Sequence, residues 1–371
     1  MHVIEVNEIE CLLSYRDEWT RLLAVTPKAR FFQTLEWLEI YWRHFGGDQR
    51  LRTLVVCDDG HIVGVLPLAV KNTATRGGTV RTLGYPLDGW GTSYGPIGGN
   101  GPIVLAAGLE HLQRTPRDWD ILELDWTLGD QIEAILEAFQ PVRVRPQLFA
   151  RDDISLINLA QPWDHYWSGL HSKHRNNIRR AERKLAGIGA IETLHYRSSG
   201  ANQGNARWDL YSQCETVSRK SWQGTSTTGN TLTHERVRPF LRDVHELAAR
   251  MGAVSLHLLT VDGEPGAFSY NYAFRGTEFG LRMAYDRKFK TGHAGTVLMH
   301  RMLQDAFASP HSLMDLGEGD SRYKHAWRTQ AVASVRVCHY ASTSLRGQTL
   351  RWMRRLSKSL LTIDPPSSVS G

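Results

Sequence analysis

The 371 residues are 41% hydrophobic and include twelve Trp, twelve Tyr and eleven Phe, more than one core uses and enough for two. The net charge of +6 admits an anionic partner such as a nucleotide cofactor, a sugar nucleotide, tRNA or a membrane surface, and selects none of them. There is no uninterrupted transmembrane run, no basic n-region ahead of an apolar stretch and no Cys-x-x-Cys pair, so a soluble, cytoplasmic chain with four reduced thiols, no disulfide framework and no metal site is expected.

In chain order, Phe31 to Phe45 reads as an aromatic-rich helix. The segment LRTLVVCDDGHIVGVLPLAV (51–70) then reads as a strand, an Asp-Gly turn and a strand, because glycine supplies the positive φ a tight hairpin needs. The loop LGYPLDGWGTSYGPIGGNGP (83–102) sets Tyr85, Asp88, Trp90, Ser93 and Tyr94 among glycines. Aromatic faces beside a carboxylate suit a carbohydrate, which makes Asp88 and Tyr94 candidate substrate contacts. A structured loop that uses glycine for its turns is an equal alternative. WDILELDW (119–126) follows as a strand.

The second half repeats this order. His234 to Met251 is helical, AVSLHLLTVDGEPGAFSYNYAF (253–274) is again strand, Asp-Gly and strand, and SLMDLGE (312–318) is the later strand. Two similar α/β domains in tandem are therefore expected. Before the second repeat, Trp163 to Leu170 and Ser172 to Lys184 suit two helices. On the latter, Arg175, Arg179 and Arg183 recur at i, i+4 and i+8, outside an inner stripe of Ile178, Ala181 and Leu185. That basic face suits phosphates of a cofactor, a lipid-linked sugar or tRNA, and a solvated charged face explains it too. No aromatics interleave with it, and DNA is not an expected partner. QGTSTTGNTLT (223–233) reads as a loop that closes over a site. The tail from Arg346 is a basic helix expected to pack on the domain by its Leu350, Met353 and Leu356 stripe, with a peripheral membrane contact as the lesser alternative, followed by a polar terminus.

Residues 281–328 carry the densest chemistry. A strand ends at Tyr285. Lys288, Lys290, Thr291, Gly292, His293, Ala294 and Gly295 make a basic, small-residue turn, and a helix with apolar residues at Val297, Leu298, Met302, Leu303, Ala306 and Phe307 follows. The N–H groups at such a helix start, aided by the helix dipole, suit a phosphate. A strand ending near Asp315 then leads through Gly317-Glu318-Gly319-Asp320 into a helix bearing Tyr323 and Lys324. Carboxylates, a phenol and an amine beside flexible glycines suit proton transfer.

Strand, K-T-G-H-A-G-T-V-L and D-L-G-E-G-D-S-R-Y-K-H-A-W together resemble the GNAT-related acetyltransferases of bacterial cellulose and exopolysaccharide biosynthesis, which are similar to the Fem-type aminoacyltransferases. Trp167 to Leu170 with Lys173 and Arg175 to Ala181, then Lys220-Ser221-Trp222-Gln223-Gly224, and the Asp262-Gly263 hairpin fit the same pattern. The likeness covers roughly residues 150 to 345. It departs from the usual acyltransferase signature, in which Arg or Gln opens a richer glycine run.

The resemblance implies a mixed, mainly antiparallel sheet flanked by helices in each of two GNAT-like domains, residues 1–155 and 156–345, with a basic helix and tail over 346–371. It implies acetyl-CoA or another acyl-CoA as donor, held by Lys290, Thr291, Gly292, His293, Ala294 and Gly295. An acyl carrier protein or tRNA is the alternative donor. Asp320 or Glu318 would take the acceptor's proton, Tyr323 would protonate the leaving group, and Lys324 would hold a phosphate or stabilise developing charge. Arg175 and Trp222 join Asp88 and Tyr94 as substrate contacts. Three functions compete: an acyl-CoA-dependent N- or O-acyltransferase acting on a sugar or cell-envelope precursor, an aminoacyl-tRNA-dependent transferase, and a non-catalytic polysaccharide-assembly protein. A long charged helical arm of the Fem kind is not seen, which favours the first.

Overall fold

The computed structural model describes residues 1–87, 90–91, 94–199, 206–226, 231–319 and 322–356. The chain opens with β1 (His2–Val6), α1 (Ile9–Leu12), α2 (Arg16–Val25) and α3 (Leu35–Phe45). Then come β2 (Gln49–Leu51), β3 (Thr53–Asp58), β4 (His61–Leu66), β5 (Ala69–Thr75), β6 (Gly78–Gly84), α4 (Gly101–Arg114), β7 (Ile121–Leu128) and α5 (Ile132–Ala138). The next run is β8 (Gln147–Asn158), α6 (Trp163–Gly169), α7 (Ser172–Ala186), β9 (Ile191–Arg197), α8 (Trp208–Lys220) and α9 (Arg238–Arg250). The chain continues through β10 (Val254–Val261), β11 (Glu264–Phe274), β12 (Thr277–Tyr285), α10 (Ala294–Phe307), β13 (Leu313–Glu318), α11 (Arg322–Trp327), β14 (Gln330–Tyr340) and α12 (Leu345–Leu356). No helix among the described residues is long and apolar enough to cross a membrane.

Two compact units result. The first takes Met1–Pro27, Phe45–Asp152 and the chain from Ala333 onward; the second takes Lys28–His44 and Asp153–Val332. In the first, β1-β3-β4 form a small antiparallel sheet, and β2-β5-β6-β7-β14 lie in order with β6 and β7 parallel. Its core joins Leu54, Leu66 and Leu83 of the strands to Leu105, Leu109 and Leu112 of α4.

In the second unit the order is β8-β13-β12-β11-β10-β9, antiparallel except for β12 and β13. Helices cover both faces, which is why β11 is buried along most of its length rather than alternating with polar residues. Ala181 and Leu185 of α7 pack with Val297 and Leu298 of α10 on one face. On the other, Tyr211 of α8 lies 5.7 Å from Tyr270 of β11, and Phe31 lies 4.5 Å from Tyr272. Trp37 of α3 meets Phe240 of α9 on that side. The aromatic stretch 31–44, early in the sequence, thus completes the second unit's helical layer.

Both Asp-Gly hairpins form as expected. Asp59 and Gly60 have φ of 46° and 79°, and Asp262 and Gly263 have 49° and 75°, the pair of positive values a two-residue primed turn requires. Helix, hairpin, parallel strand pair and crossover helix occur in each unit, so the α/β class with tandem mixed sheets read from the sequence is the observed one.

Candidate active site

The second unit's parallel pair is short. β12 and β13 pair at Thr277↔Leu313, Glu278↔Met314 and Phe279↔Asp315, and the pairing ends there. Each strand then follows its other neighbour. β12 stays with β11 as far as Tyr285↔Ala267, with a register shift between Tyr270 and Asn271. β13 stays with β8 at Glu318↔Ile154, with a shift between Asp315 and Glu318. Two irregularities at one level part the strands, as bulges do when they add twist on one side only. Gly280 marks the apex: a Cβ there would lie 3.2 Å from the Asp315 carbonyl oxygen. Beyond it, the backbone edges of Gly280–Tyr285 and Leu316–Glu318 line a wedge.

The 290–295 turn and α10 follow β12 directly. His293 is the N-cap, with left-handed φ of 55° and no side-chain cap bond. The turn's left-handed residue is therefore a histidine, and the glycines serve another purpose. A Cβ on Gly292 would lie 2.6 Å from Leu185 and 2.8 Å from Ile188. One on Gly295 would lie 3.0 Å from the Tyr285 ring. Bare Cα atoms let α10 start against α7 and the end of β12. Lys290, Thr291 and His293 are exposed, while Gly292 and Ala294 are buried. The first N–H groups of α10 have no intrahelical acceptor, as at any helix start.

At the wedge's other lip, Gly317 and Gly319 take φ of 76° and 103°. That turn lets the Lys324 ammonium donate to the Glu318 carbonyl oxygen. Lys324 is buried, whereas Glu318 and Tyr323 are exposed. Asp320 lies outside the described residues. Asp315 is buried, and burial pushes its carboxyl above the ordinary value. Arg30, 3.5 Å away, and the Gly317 N–H, 2.7 Å away, pull it back down. The Arg30 guanidinium also lies over the Phe279 ring at 4.8 Å. Nothing in the local sequence near Arg30 signalled that contact.

The remaining candidates separate. Trp222, 55% exposed, sits on a single turn after α8. That turn is tied to the α10 entry by Arg287 donating to Thr225 at 3.3 Å, and Lys220 of α8 lies 3.5 Å from Asp286. Arg175 points back along the chain and donates to the Trp167 and Ser168 carbonyls, fastening the end of α6. Tyr94 belongs to the first unit, buried 5.1 Å from Tyr85, and burial raises both phenols well above their ordinary range. Asp88 lies outside the described residues.

In the first unit the corresponding helix start and strand make side-chain contacts of their own. Asn100 caps α4 by accepting from Ile103 N–H, and Thr26 accepts from Gly98 N–H. Glu123 is held by Arg354 at 2.8 Å and Asp125 by Arg336 at 2.9 Å.

Sequence reading missed two buried polar clusters in the second unit. In one, Tyr270 donates to His245 Nδ1 at 2.9 Å, because Nε2–H is directed to the Ala206 carbonyl at 2.6 Å. In the other, His195 and His257 stack with ring centroids 3.9 Å apart and planes 15° from parallel, and Asp305 lies 3.3 Å from His257 Nε2. This trio has metal-ligand chemistry. An ion in the plane of one ring would lie outside the plane of the other, however, and Arg197 already donates to His195 Nε2 at 3.1 Å. The arrangement fits a packed ring stack better than a metal centre.

Burial lowers His245 and His195 each to about 4. Unfolded rings take up a proton below about 6.5 whereas these stay neutral, so stability is full above that pH. It falls as pH drops from 6.5 to 4, by on the order of 3 kcal/mol for His245 and by less for the more exposed His195, whose charge solvent screens. Urea unfolding at pH 7.5 and 4.5 is expected to show this loss, and a midpoint that does not move would refute the assignment.

Residues 172–325 match the family described as acetyltransferase (GNAT) domain. No curated protein matches the chain in sequence. Among solved structures, FemX is similar with a TM-score of 0.60 at 11% identity, over 95% of this chain and 99% of that one. L-PGS from Bacillus licheniformis gives 0.51 at 14%, over 86% and 95%. A tandem GNAT protein from the clavulanic acid biosynthesis pathway gives 0.50 at 13%, over 92% and 100%. At these identities the likeness is one of fold. Residues 172–325 are a GNAT-type acetyltransferase domain.

Proposed function

We propose that the chain transfers an acyl group from acyl-CoA directly to an amine, or to a hydroxyl, of a sugar or other cell-envelope precursor. The observation that carries this reading is the wedge where β12 and β13 part, with the start of α10 at its mouth. The unpaired strand edges suit the amides of a pantetheine arm, which would pair as another strand does. The α10 start suits a pyrophosphate. The exposed Trp222 supports a sugar-like acceptor, because an aromatic face packs well on a pyranose face.

Chemistry follows from direct attack with both substrates bound. The acceptor nitrogen bonds to the thioester carbon and the C–S bond breaks. Asp320 or Glu318 takes the nitrogen's proton, and Tyr323, on the first turn of α11, protonates the departing thiolate. Lys324, pinned to the Glu318 carbonyl, holds the 317–319 turn in shape and lends positive charge to the lip.

Calorimetric titration with acetyl-CoA and then turnover with amino sugars test the reading. Tyr323→Phe is expected to lower kcat by about 10²-fold, the usual size of a lost proton donor, with the KM for acetyl-CoA unchanged. Asp320→Ala is expected to behave alike. Wild-type protein that does not bind acetyl-CoA, or variants that keep full turnover, would overturn it.

A further inference from the structure

Positive charge is concentrated on two helices, α12 with four Arg and no acid, and α7 with more. α7 carries six Lys and Arg against one Glu, a net of +5 where the whole chain has +6. Two of its charged groups are engaged inside the fold: Arg175 on the end of α6, and Glu182 on His300 at 3.0 Å. Lys173, Arg179, Arg180, Arg183 and Lys184 are exposed and have no carboxylate partner among the described residues. Like charges three and four residues apart on a helix repel and weaken it. Elsewhere this unit pairs such groups: Arg238 and Arg242 share Glu215 at 2.9 and 3.1 Å.

The uncompensated helix adjoins the donor turn, since Leu185 of α7 is the residue against which Gly292 packs. Lys290 continues the positive surface onto the turn. At 15 residues α7 is roughly 22 Å long, more than one nucleotide's phosphates need.

We propose that the exposed face of α7 docks an acidic carrier protein, whose phosphopantetheine arm delivers the acyl group into the β12–β13 wedge. The inference rests on the thioester reading above. It adds a second source for the same arm, because pantetheine is common to coenzyme A and to carrier proteins. The charge on α7 complements an acidic surface, and its contact with the donor turn places that surface where the arm must enter. During transfer the thioester C–S bond breaks, the acceptor's bond to the acyl carbon forms, and the thiol stays on the carrier. An aminoacyl ester on RNA has no such arm.

The test is a titration of the protein with a fluorescently labelled acidic acyl carrier protein in its phosphopantetheine form, alongside kcat/KM with acetyl-CoA and with the acetylated carrier. Carrier affinity is expected to fall about tenfold or more between 50 and 300 mM salt, as screening weakens the contact. The triple variant Arg179→Glu, Arg180→Glu, Arg183→Glu is expected to lose at least about 30-fold in carrier affinity and in kcat/KM with the acetylated carrier. Its kcat/KM with acetyl-CoA is expected to stay within about threefold, which also shows that the variant folds.

Equal losses with both donors would overturn the proposal, since the face would then serve coenzyme A alone. So would absence of carrier binding at low salt, or tRNA binding that displaces the carrier. If acetyl-CoA proves not to be a donor, the thioester reading fails on its own, and the binding titration still decides whether the face docks a carrier.

Discussion

Gly295→Asp is expected to weaken acetyl-CoA binding by at least about 100-fold, some 2.7 kcal/mol, while the fold survives. The new Cβ would sit 3.0 Å from the edge of the Tyr285 ring, so the ring must give by a few tenths of an ångström. A carboxylate in the first turn of α10 favours the helix itself, because it faces the positive end of the dipole. The same carboxylate repels a phosphate in that place; at 4 Å and an effective dielectric near 20, two unit charges interact by about 4 kcal/mol. Helix stability and donor affinity should therefore move in opposite directions, which a general unfolding effect cannot produce. Gly295→Ala carries the Cβ without the charge and should lose no more than about fivefold. Calorimetry on the two variants, with thermal melts alongside, separates sterics from charge. An Asp variant that binds as tightly as wild type would show that the phosphate does not sit at the start of α10.

Much of the site's frame was legible because it is local. The helix over 294–307 follows from its apolar spacing, and the observed α10 has those bounds. The hairpin at Asp262-Gly263 follows from the φ values those residues accept. The wedge was not legible. It arises from register shifts in which β12 and β13 each carry one extra residue relative to β11 and β8; Gly280 and Gly317 stand beside those shifts, but a glycine in a strand does not say which neighbour it slips against. The turn's glycines were legible as glycines and not as what they do: they make room for Leu185, Ile188 and Tyr285, while a histidine takes the left-handed backbone. The stretch 31–45 looked like part of the first repeat because helical periodicity says which face is apolar and not what covers it. Phe31 and Phe32 find Tyr272 and Phe279, some 240 residues on, and Arg30 finds Asp315.

Glu278→Ala is expected to destabilise the second unit by about 3–5 kcal/mol, the usual loss when one partner of a buried ion pair is removed. Glu278 is fully buried in the middle of the three-residue parallel pair. Arg197 reaches it at 2.8 Å, Ser255 donates at 2.8 Å and Asn271 at 2.9 Å. Alanine would leave the Arg197 guanidinium without its carboxylate and the buried Ser255 and Asn271 donors facing a void. Glu278→Gln keeps the shape and one acceptor oxygen and removes the charge, so roughly half that loss is expected. Urea midpoints with unchanged slope would measure both effects. The consequence for function is geometric. The wedge opens at a fixed level because β12 and β13 stay joined just below it, and Glu278 ties that junction sideways to β9, β10 and β11. A Gln variant that folds but binds acetyl-CoA less tightly would show that the junction sets the wedge. Loss of stability below about 1 kcal/mol in the Ala variant would show that the ion pair contributes little to holding it.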